Sequence, residues 1–130
     1  MAPDLAIGSF DGQTLALSDL RGRRVVLNFY ASWCPGCRQE AASLAAAAHA
    51  HPEVAFLGAD IQDSDAAGRA FEAEFRHGYP VGPVVSGSYL QFGVTGPPET
   101  YFIDRNGRIA GHFAGPLDGP TIELYLARVP

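Results

Sequence analysis

Apolar positions are not spread evenly along the chain but gathered into short runs whose spacing predicts elements. Between Arg24 and Ala31 the segment Val25-Val26-Leu27-Asn28-Phe29-Tyr30 is almost continuously apolar, β-branched or aromatic. Such a run predicts a central strand covered on both faces. Thr14-Leu15-Ala16-Leu17 alternates weakly and reads as an edge strand. Pro35 to His51 is rich in Ala and contains Gln39, Glu40 and Leu44, which predicts one long helix ending where His51 precedes Pro52. Its apolar face is expected at Cys37, Ala41, Leu44, Ala45 and Ala48. Val54-Ala55-Phe56-Leu57-Gly58-Ala59 predicts a second buried strand, and Ser64 offers an N-cap to a helix with Phe71 and Phe75 on one side.

Strand, helix, strand, helix is the order of a βαβ unit with a parallel sheet. Beyond it, Gly78 to Gly87 is rich in Gly and Pro, and Tyr89-Leu90-Gln91-Phe92 reads as a short helical stretch. Thr100-Tyr101-Phe102-Ile103 predicts a strand. Asp104-Arg105-Asn106-Gly107 then turns it into a second one from Arg108 to Phe113, because Asn-Gly suits a two-residue hairpin turn. A final helix is expected from about Asp118 to Arg128.

Composition narrows the class. At 130 residues and 47% hydrophobic content, the chain suffices for one domain over residues 1–130 with a core that needs no covalent staple. Repeats and charge blocks are missing, and Gly and Pro are scattered as turn punctuation, which favours one compact unit. The formal net charge of -5 supplies no basic excess for phosphates or anionic lipid, so proteins or small molecules are the expected partners and nucleic acid is not. No stretch approaches the ~18 apolar residues of a bilayer span, and Met1-Ala2-Pro3-Asp4-Leu5 lacks the charged-then-hydrophobic order of a leader. The expectation is a domain soluble in itself, with its compartment open.

The two cysteines, Cys34 and Cys37, stand three positions apart, so they cannot bridge distant elements. A bond closing so short a loop removes little denatured-state entropy, and reversible redox chemistry is the better reason for the pair. With Cys34 at the strand's exit and Pro35 as the first helical residue, Cys34 becomes the N-cap. Its sulfur then faces the free N–H groups of Gly36 and Cys37 and the positive end of the helix dipole, which favours thiolate over thiol. Such sites lower a cysteine pKa from about 8.5 into the range of roughly 3.5 to 7.5. Cys37 lies one turn deeper on the same face, which assigns attack to Cys34 and resolution of the mixed disulfide to Cys37.

Other uses of the pair fit less well. A c-type haem attachment needs His after the second cysteine, where Arg38 stands, and a zinc finger needs a distant ligand pair, whereas His49 and His51 are two apart. No metal and no cofactor are expected; metal binding or an inert buried pair are the minor alternatives. His77 and His112 read as surface or packing residues.

Three segments, Leu17-Ser18-Asp19-Leu20-Arg21-Gly22, Leu27-Asn28-Phe29-Tyr30-Ala31-Ser32-Trp33-Cys34 and Gly93-Val94-Thr95-Gly96-Pro97-Pro98-Glu99-Thr100-Tyr101-Phe102-Ile103-Asp104, resemble the thioredoxin superfamily. The match is nearer the TlpA, ResA and DsbE type of extracytoplasmic reductase linked to cytochrome c maturation. The resemblance implies an α/β thioredoxin-like fold, a central mixed β-sheet flanked by helices in a single domain. It implies a cis peptide bond at Pro98, abutting the cysteines; an isolated X-Pro bond is cis in only about 5% of cases, so residues alone do not predict it.

By the same resemblance Glu40 is the carboxylate near the cysteine pair, able to take a proton from Cys37 if partly buried; otherwise it is an exposed acid in the first turns of the helix. Glu99 is placed near the thiols, the other reading being a solvated strand start. Asn28 stands where ordinary thioredoxins carry a buried Asp. Trp33, Pro35, Pro97, Pro98 and Glu99 form the expected substrate surface, although a Trp before a helix is also ordinary packing. Relatives pair an extended substrate with the backbone just before the cis proline. Pro97 has no N–H, so it accepts a hydrogen bond there but cannot donate one, and a weaker or differently registered contact is expected.

The leading functional expectation is a monomeric dithiol reductase of protein disulfides, apocytochrome c among them, recharged by a thiol electron donor. By resemblance that donor is a membrane thiol relay for an extracytoplasmic, membrane-anchored protein; for a cytoplasmic one it is thioredoxin reductase. Direction is not legible, since such pairs range from about -270 to about -120 mV. Two alternatives stand beside it. A peroxiredoxin-like peroxidase is disfavoured because Ala31 and Leu27 occupy the places of its customary Thr and Pro, and a non-catalytic binding module is disfavoured by the cysteine spacing.

Overall fold

The computed structural model describes all 130 residues. Its strands are β1 (Ala6–Gly8), β2 (Thr14–Ala16), β3 (Val25–Tyr30), β4 (Ala55–Asp60), β5 (Val81–Ser86), β6 (Glu99–Ile103) and β7 (Ile109–Ala114). The helices are α1 (Pro35–Ala50), α2 (Asp65–Phe75) and α3 (Gly119–Leu126), with 3-10 turns at Leu17–Leu20 and Tyr89–Phe92. The seven strands form one sheet in the order β2-β1-β5-β4-β3-β6-β7.

Every residue of β3 is buried, and the strand pairs parallel to β4 and antiparallel to β6, as its unbroken apolar run requires. Its two faces meet different layers. Val26 joins Leu44 and Ala47 of α1, Ile122 and Leu126 of α3, and Phe102 in one cluster. Val25, Leu27 and Phe29 join Leu5, Leu17, Phe92 and Val94 in another, where loops and 3-10 turns take the place of helices. Tyr30 belongs to a third cluster with Cys34, Cys37, Phe71 of α2 and Val81.

The helices start and stop on local signals. Ser64 Oγ accepts from Ala67 N at 3.1 Å to begin α2, and Asp118 Oδ1 accepts from Thr121 N at 2.9 Å to begin α3. α1 closes with His51 N donating to Ala47 O at 3.0 Å, at the residue before Pro52.

Several expectations are corrected. The Gly- and Pro-rich passage contains a true strand, β5, and β1 lies unpredicted between β2 and β5; at three residues β1 is too short to display a period. The buried face of α1 is Cys37, Glu40, Ala41, Leu44 and Ala47, turned from the predicted stripe because α3 packs beside it, and Ala45 and Ala48 are only half-buried. α3 is shorter than Asp118 to Arg128, and β7 starts one residue later than Arg108.

Candidate active site

β3 delivers Cys34 to the head of α1, where it is the N-cap with an extended backbone. Cys37 N donates to Cys34 Sγ at 3.2 Å, and Pro35 opens the helix without an N–H to waste. The expected donation from Gly36 to the sulfur does not occur; the cap is made by Cys37 alone. Both cysteines are free thiols. Cys34 is 4% exposed and Cys37 1%, so both are buried. Cys34 is more covered than an N-cap position implies, because Pro97 lies across it: the Cys34 thiol donates to Pro97 O at 3.5 Å.

The Pro97-Pro98 peptide bond is cis. Pro98 is buried against the helix start, since a Cβ on Gly36 would stand 3.2 Å from Pro98 Cδ and 3.5 Å from Pro116 Cδ. A side chain at position 36 would therefore press on Pro98 and make only an ordinary contact with Pro116. Trp33 is 56% exposed and not core packing; its Nε1 donates to Gln62 O at 2.9 Å. Pro35 is exposed beside it. Trp33 and Pro35 thus flank Cys34 in the chain as exposed residues, and the Pro97 carbonyl meets its sulfur.

Burial, followed by its hydrogen bond with Cys34, pushes the Cys37 thiol far above its ordinary pKa, with the charge of Glu40 adding to the rise. Cys37 is thus held protonated until something removes its proton. Glu40 is that candidate. The reading of Glu40 as an exposed acid fails, for it is 1% exposed. It sits one turn beyond Cys37, its Oε2 accepting from Asn28 Nδ2 at 2.8 Å and its Oε1 from Leu117 N at 3.4 Å. Burial pushes the Glu40 carboxyl up to about 7, against those two donors, so near neutrality it both gives and accepts a proton. Asn28 also donates to Thr100 Oγ1 at 2.9 Å, which fixes the amide between β6 and α1.

A pH dependence follows with a definite sign. Because the folded-state pKa of Glu40 lies above its value in the open chain, its contribution to stability is complete below about pH 4.5 and is lost as pH rises through about 7. Thermal unfolding of the wild type is expected to show a midpoint falling across that window, and Glu40→Gln should remove part of the fall. A Glu40→Gln profile parallel to the wild type would contradict it. Asp60, which burial pushes up to about 8, supplies a further loss in the same sense.

Glu99 is neither solvated nor aimed at the sulfurs. It is 3% exposed; its Oε2 accepts from Thr95 N at 2.8 Å, Thr95 Oγ1 at 3.1 Å and Gly96 N at 3.2 Å, and its Oε1 lies 2.8 Å from His112 Nε2. Burial raises its carboxyl, but the Thr95 amide, His112 and Gly96 outweigh that and hold it below the usual range. Glu99 therefore organises the loop that presents Pro97 and Pro98. His112, which the sequence left as surface or packing, stacks on Tyr101 with centroids 4.4 Å apart and completes this arrangement. His77 is a packing residue, 2% exposed, with Nδ1 2.5 Å from Glu72 Oε1. Leu117 N, Thr95 N and Gln62 O act at the site through backbone atoms, which no residue type advertises, and the Thr95 hydroxyl adds a side-chain bond to Glu99.

A model of the AhpC/TSA family matches residues 1–112. A thiol:disulfide interchange protein DsbE homologue of Paracoccus denitrificans is 38% identical over 96 residues, covering 71% of this chain and 51% of the relative. A thiol-disulfide oxidoreductase ResA of Bacillus thuringiensis is 25% identical over 131 residues, covering 98% of this chain and 76% of the relative. The chain thus spans about half the length of the Paracoccus protein and three quarters of the Bacillus one. Among solved structures, a putative thiol:disulfide interchange protein DsbE from Chlorobium tepidum superposes with a TM-score of 0.87 at 26% identity, covering 97% of this chain and 92% of that one.

Proposed function

The chain belongs to the AhpC/TSA family, and on that premise we propose that it is a thiol:disulfide oxidoreductase that reduces protein disulfides through the Cys34/Cys37 dithiol. The observation that carries this reading is the Cys37 N–H aimed at Cys34 Sγ from 3.2 Å at the head of α1, beside a second thiol that burial keeps protonated. One sulfur is placed to attack and the other to wait.

In the forward step the Cys34 thiolate attacks one sulfur of the substrate disulfide. A Cys34–substrate bond forms, and the other substrate sulfur leaves as a thiolate that takes a proton. Glu40 then accepts the Cys37 proton, and the Cys37 thiolate attacks Cys34 Sγ. The second substrate thiol is released, leaving the Cys34–Cys37 disulfide. Two electrons have moved to the substrate, and a dithiol donor restores the pair. An extended substrate segment meets the Pro97 carbonyl as acceptor, with Trp33 and Pro35 as its shelf.

The names of the relatives support protein disulfides as the substrate class. Apocytochrome c as one such substrate, a membrane thiol relay as donor, an extracytoplasmic setting and a monomeric state are the finer parts of the proposal. Cys37→Ser expressed in its source cell is expected to accumulate protein adducts on Cys34 that reductant releases; mass spectrometry identifies them. Recovery of only indiscriminate adducts argues against a dedicated reductase.

The family match also favours a second reading, a peroxiredoxin-like peroxidase, which the site fits less well: Ala31 and Leu27 stand where that chemistry uses Thr and Pro. Rapid consumption of hydrogen peroxide by Cys37→Ser would promote it over the first.

A further inference from the structure

The turn that carries the attacking sulfur is tied to a segment outside the catalytic machinery. Ser32, two residues before Cys34, donates from its backbone N to Asp63 Oδ2 at 2.8 Å and from its hydroxyl to Asp63 Oδ1 at 2.7 Å. The next residue, Trp33, donates its indole N–H to Gln62 O. Gln62 has a φ of 52°, a left-handed conformation that is uncommon outside glycine and persists where its surroundings impose it. Its amide donates onward to Tyr89 OH at 2.9 Å. Asp63 Oδ1 also accepts from Ser64 N at 3.1 Å, so one carboxylate joins the nucleophile's turn to the start of α2.

Behind Asp63 stands a second acid that the redox chemistry does not use. Asp60, the last residue of β4, is 6% exposed and hydrogen-bonds to Asp63 through its side chain, while its Oδ1 is buried without a partner. Two carboxyl groups in contact cannot both ionise without strong repulsion; one keeps its proton and donates it to the other.

We propose that Asp63 is a positioning residue for the nucleophile: as the ionised half of an acid–carboxylate pair with Asp60, it fixes the Ser32-Trp33-Cys34 turn and thereby sets the reactivity of the Cys34 sulfur. The inference rests on the reading of Cys34 as the attacking sulfur. Asp63 meets Ser32 and not the sulfur, so it acts through the turn.

The electrostatics agree with the geometry. Burial, then the contact with Asp63, pushes Asp60 up to about 8; burial raises Asp63 as well, but donors from Asp60, Ser32 and Ser64 outweigh that and hold it below the usual range. The groups facing Asp60 are the phenol of Tyr30 from β3 and Asp63 and Asp65 at the entrance to α2, while Glu72 from α2 and Tyr79 bear on the same phenol. Arg69 is directed elsewhere, its guanidinium donating to Phe10 O and lying over the Phe10 ring. Removing the shared proton above about pH 8 therefore sets two negative charges against each other with no cation between them, and the turn loosens.

The test is the rate of iodoacetamide alkylation of the reduced protein as a function of pH, with the modified residue read by mass spectrometry. In the wild type Cys34 should react before Cys37, and the profile should carry an inflection near pH 8 in addition to the ionisation of the thiol. Asp63→Asn is expected to slow alkylation of Cys34 about tenfold, because the turn that holds the sulfur at the helix start loosens. Asp60→Asn keeps an N–H donor for Asp63 and should erase the inflection near pH 8. Ser32→Ala, which retains only the amide donor, should fall between, and Ser32→Thr should recover the wild-type profile. A folded Asp63→Asn with the wild-type profile overturns the proposal. If that variant does not fold, an inflection near pH 8 that persists in Asp60→Asn overturns it instead. Preferential alkylation of Cys37 in the wild type would sink the assignment of the nucleophile and leave a distinct signature from either result.

Discussion

Cys34→Ser is expected to abolish the reduction of insulin disulfides, lowering the rate by at least ~10³-fold. An alcohol oxygen at position 34 still accepts from Cys37 N, but it does not ionise near neutral pH and cannot form the sulfur–sulfur bond that holds the intermediate. Cys37 cannot substitute: it is 1% exposed and its thiol is held protonated by burial. Cys37→Ser has a different outcome. Attack by Cys34 survives, so one substrate molecule per chain is captured as a mixed disulfide, yet turnover stops for lack of a resolving thiol. Following turbidity in the insulin assay, and the mass of the chain before and after added reductant, separates the two. Wild-type turnover by Cys34→Ser would defeat the dithiol mechanism, and a wild-type protein with no turnover at all would point to the non-catalytic binding module.

Gly82→Ala should destabilise the fold by about 3 kcal/mol or more, read from denaturant unfolding. Gly82 lies in β5 opposite Ala59 of β4, with the backbone of Gly8 crossing close to its other side. A Cβ there would stand 2.0 Å from Gly8 O and 2.8 Å from Gly8 C and Ser9 Cα. Those are backbone atoms of the neighbouring chain segment, so no rotamer change relieves the clash and β1 must separate from β5. By contrast, Gly96 meets nothing within 4 Å of an added Cβ, and Gly96→Ala should leave the unfolding midpoint nearly unchanged. Equal stability of Gly82→Ala and wild type would mean that β1 is not held against β5 as described.

The same glycine lies in a strand that carries no local signal of its own. Gly82 and Pro83 made the passage from Gly78 to Gly87 resemble a loop, since both residues weaken a strand's local signal. The strand exists because β4 offers a parallel edge at Gly58, Ala59 and Asp60, and because only glycine admits the approach of Gly8. Pro83 is tolerated at the last position paired with β4. In β3, β4 and α1 the local pattern and the tertiary demand coincide, and there the periodicity alone located the elements within a residue or two. On α1 the helix was legible but its facing was not: Glu40 and Ala47 point inward where Ala45 and Ala48 were expected, a choice made by the placement of α3.

What the chain by itself determined is the dithiol and its strand-to-helix setting: a buried apolar strand, Pro35 after Cys34, and a second cysteine one turn on, all consequences of local backbone rules. What only the tertiary structure decided is which distant groups surround that dithiol. Asn28 and Leu117 converge on Glu40, Thr95 and His112 on Glu99, and Asp63 on Ser32, from positions separated by 12 to 77 residues in the first case, 4 and 13 in the second and 31 in the third. Several of these partners are backbone amides, which every residue but proline carries, so no residue type advertises them. Burial raises the Glu40 carboxyl, while donors outweigh burial at Glu99 and Asp63, and both burial and donors are properties of the packed whole.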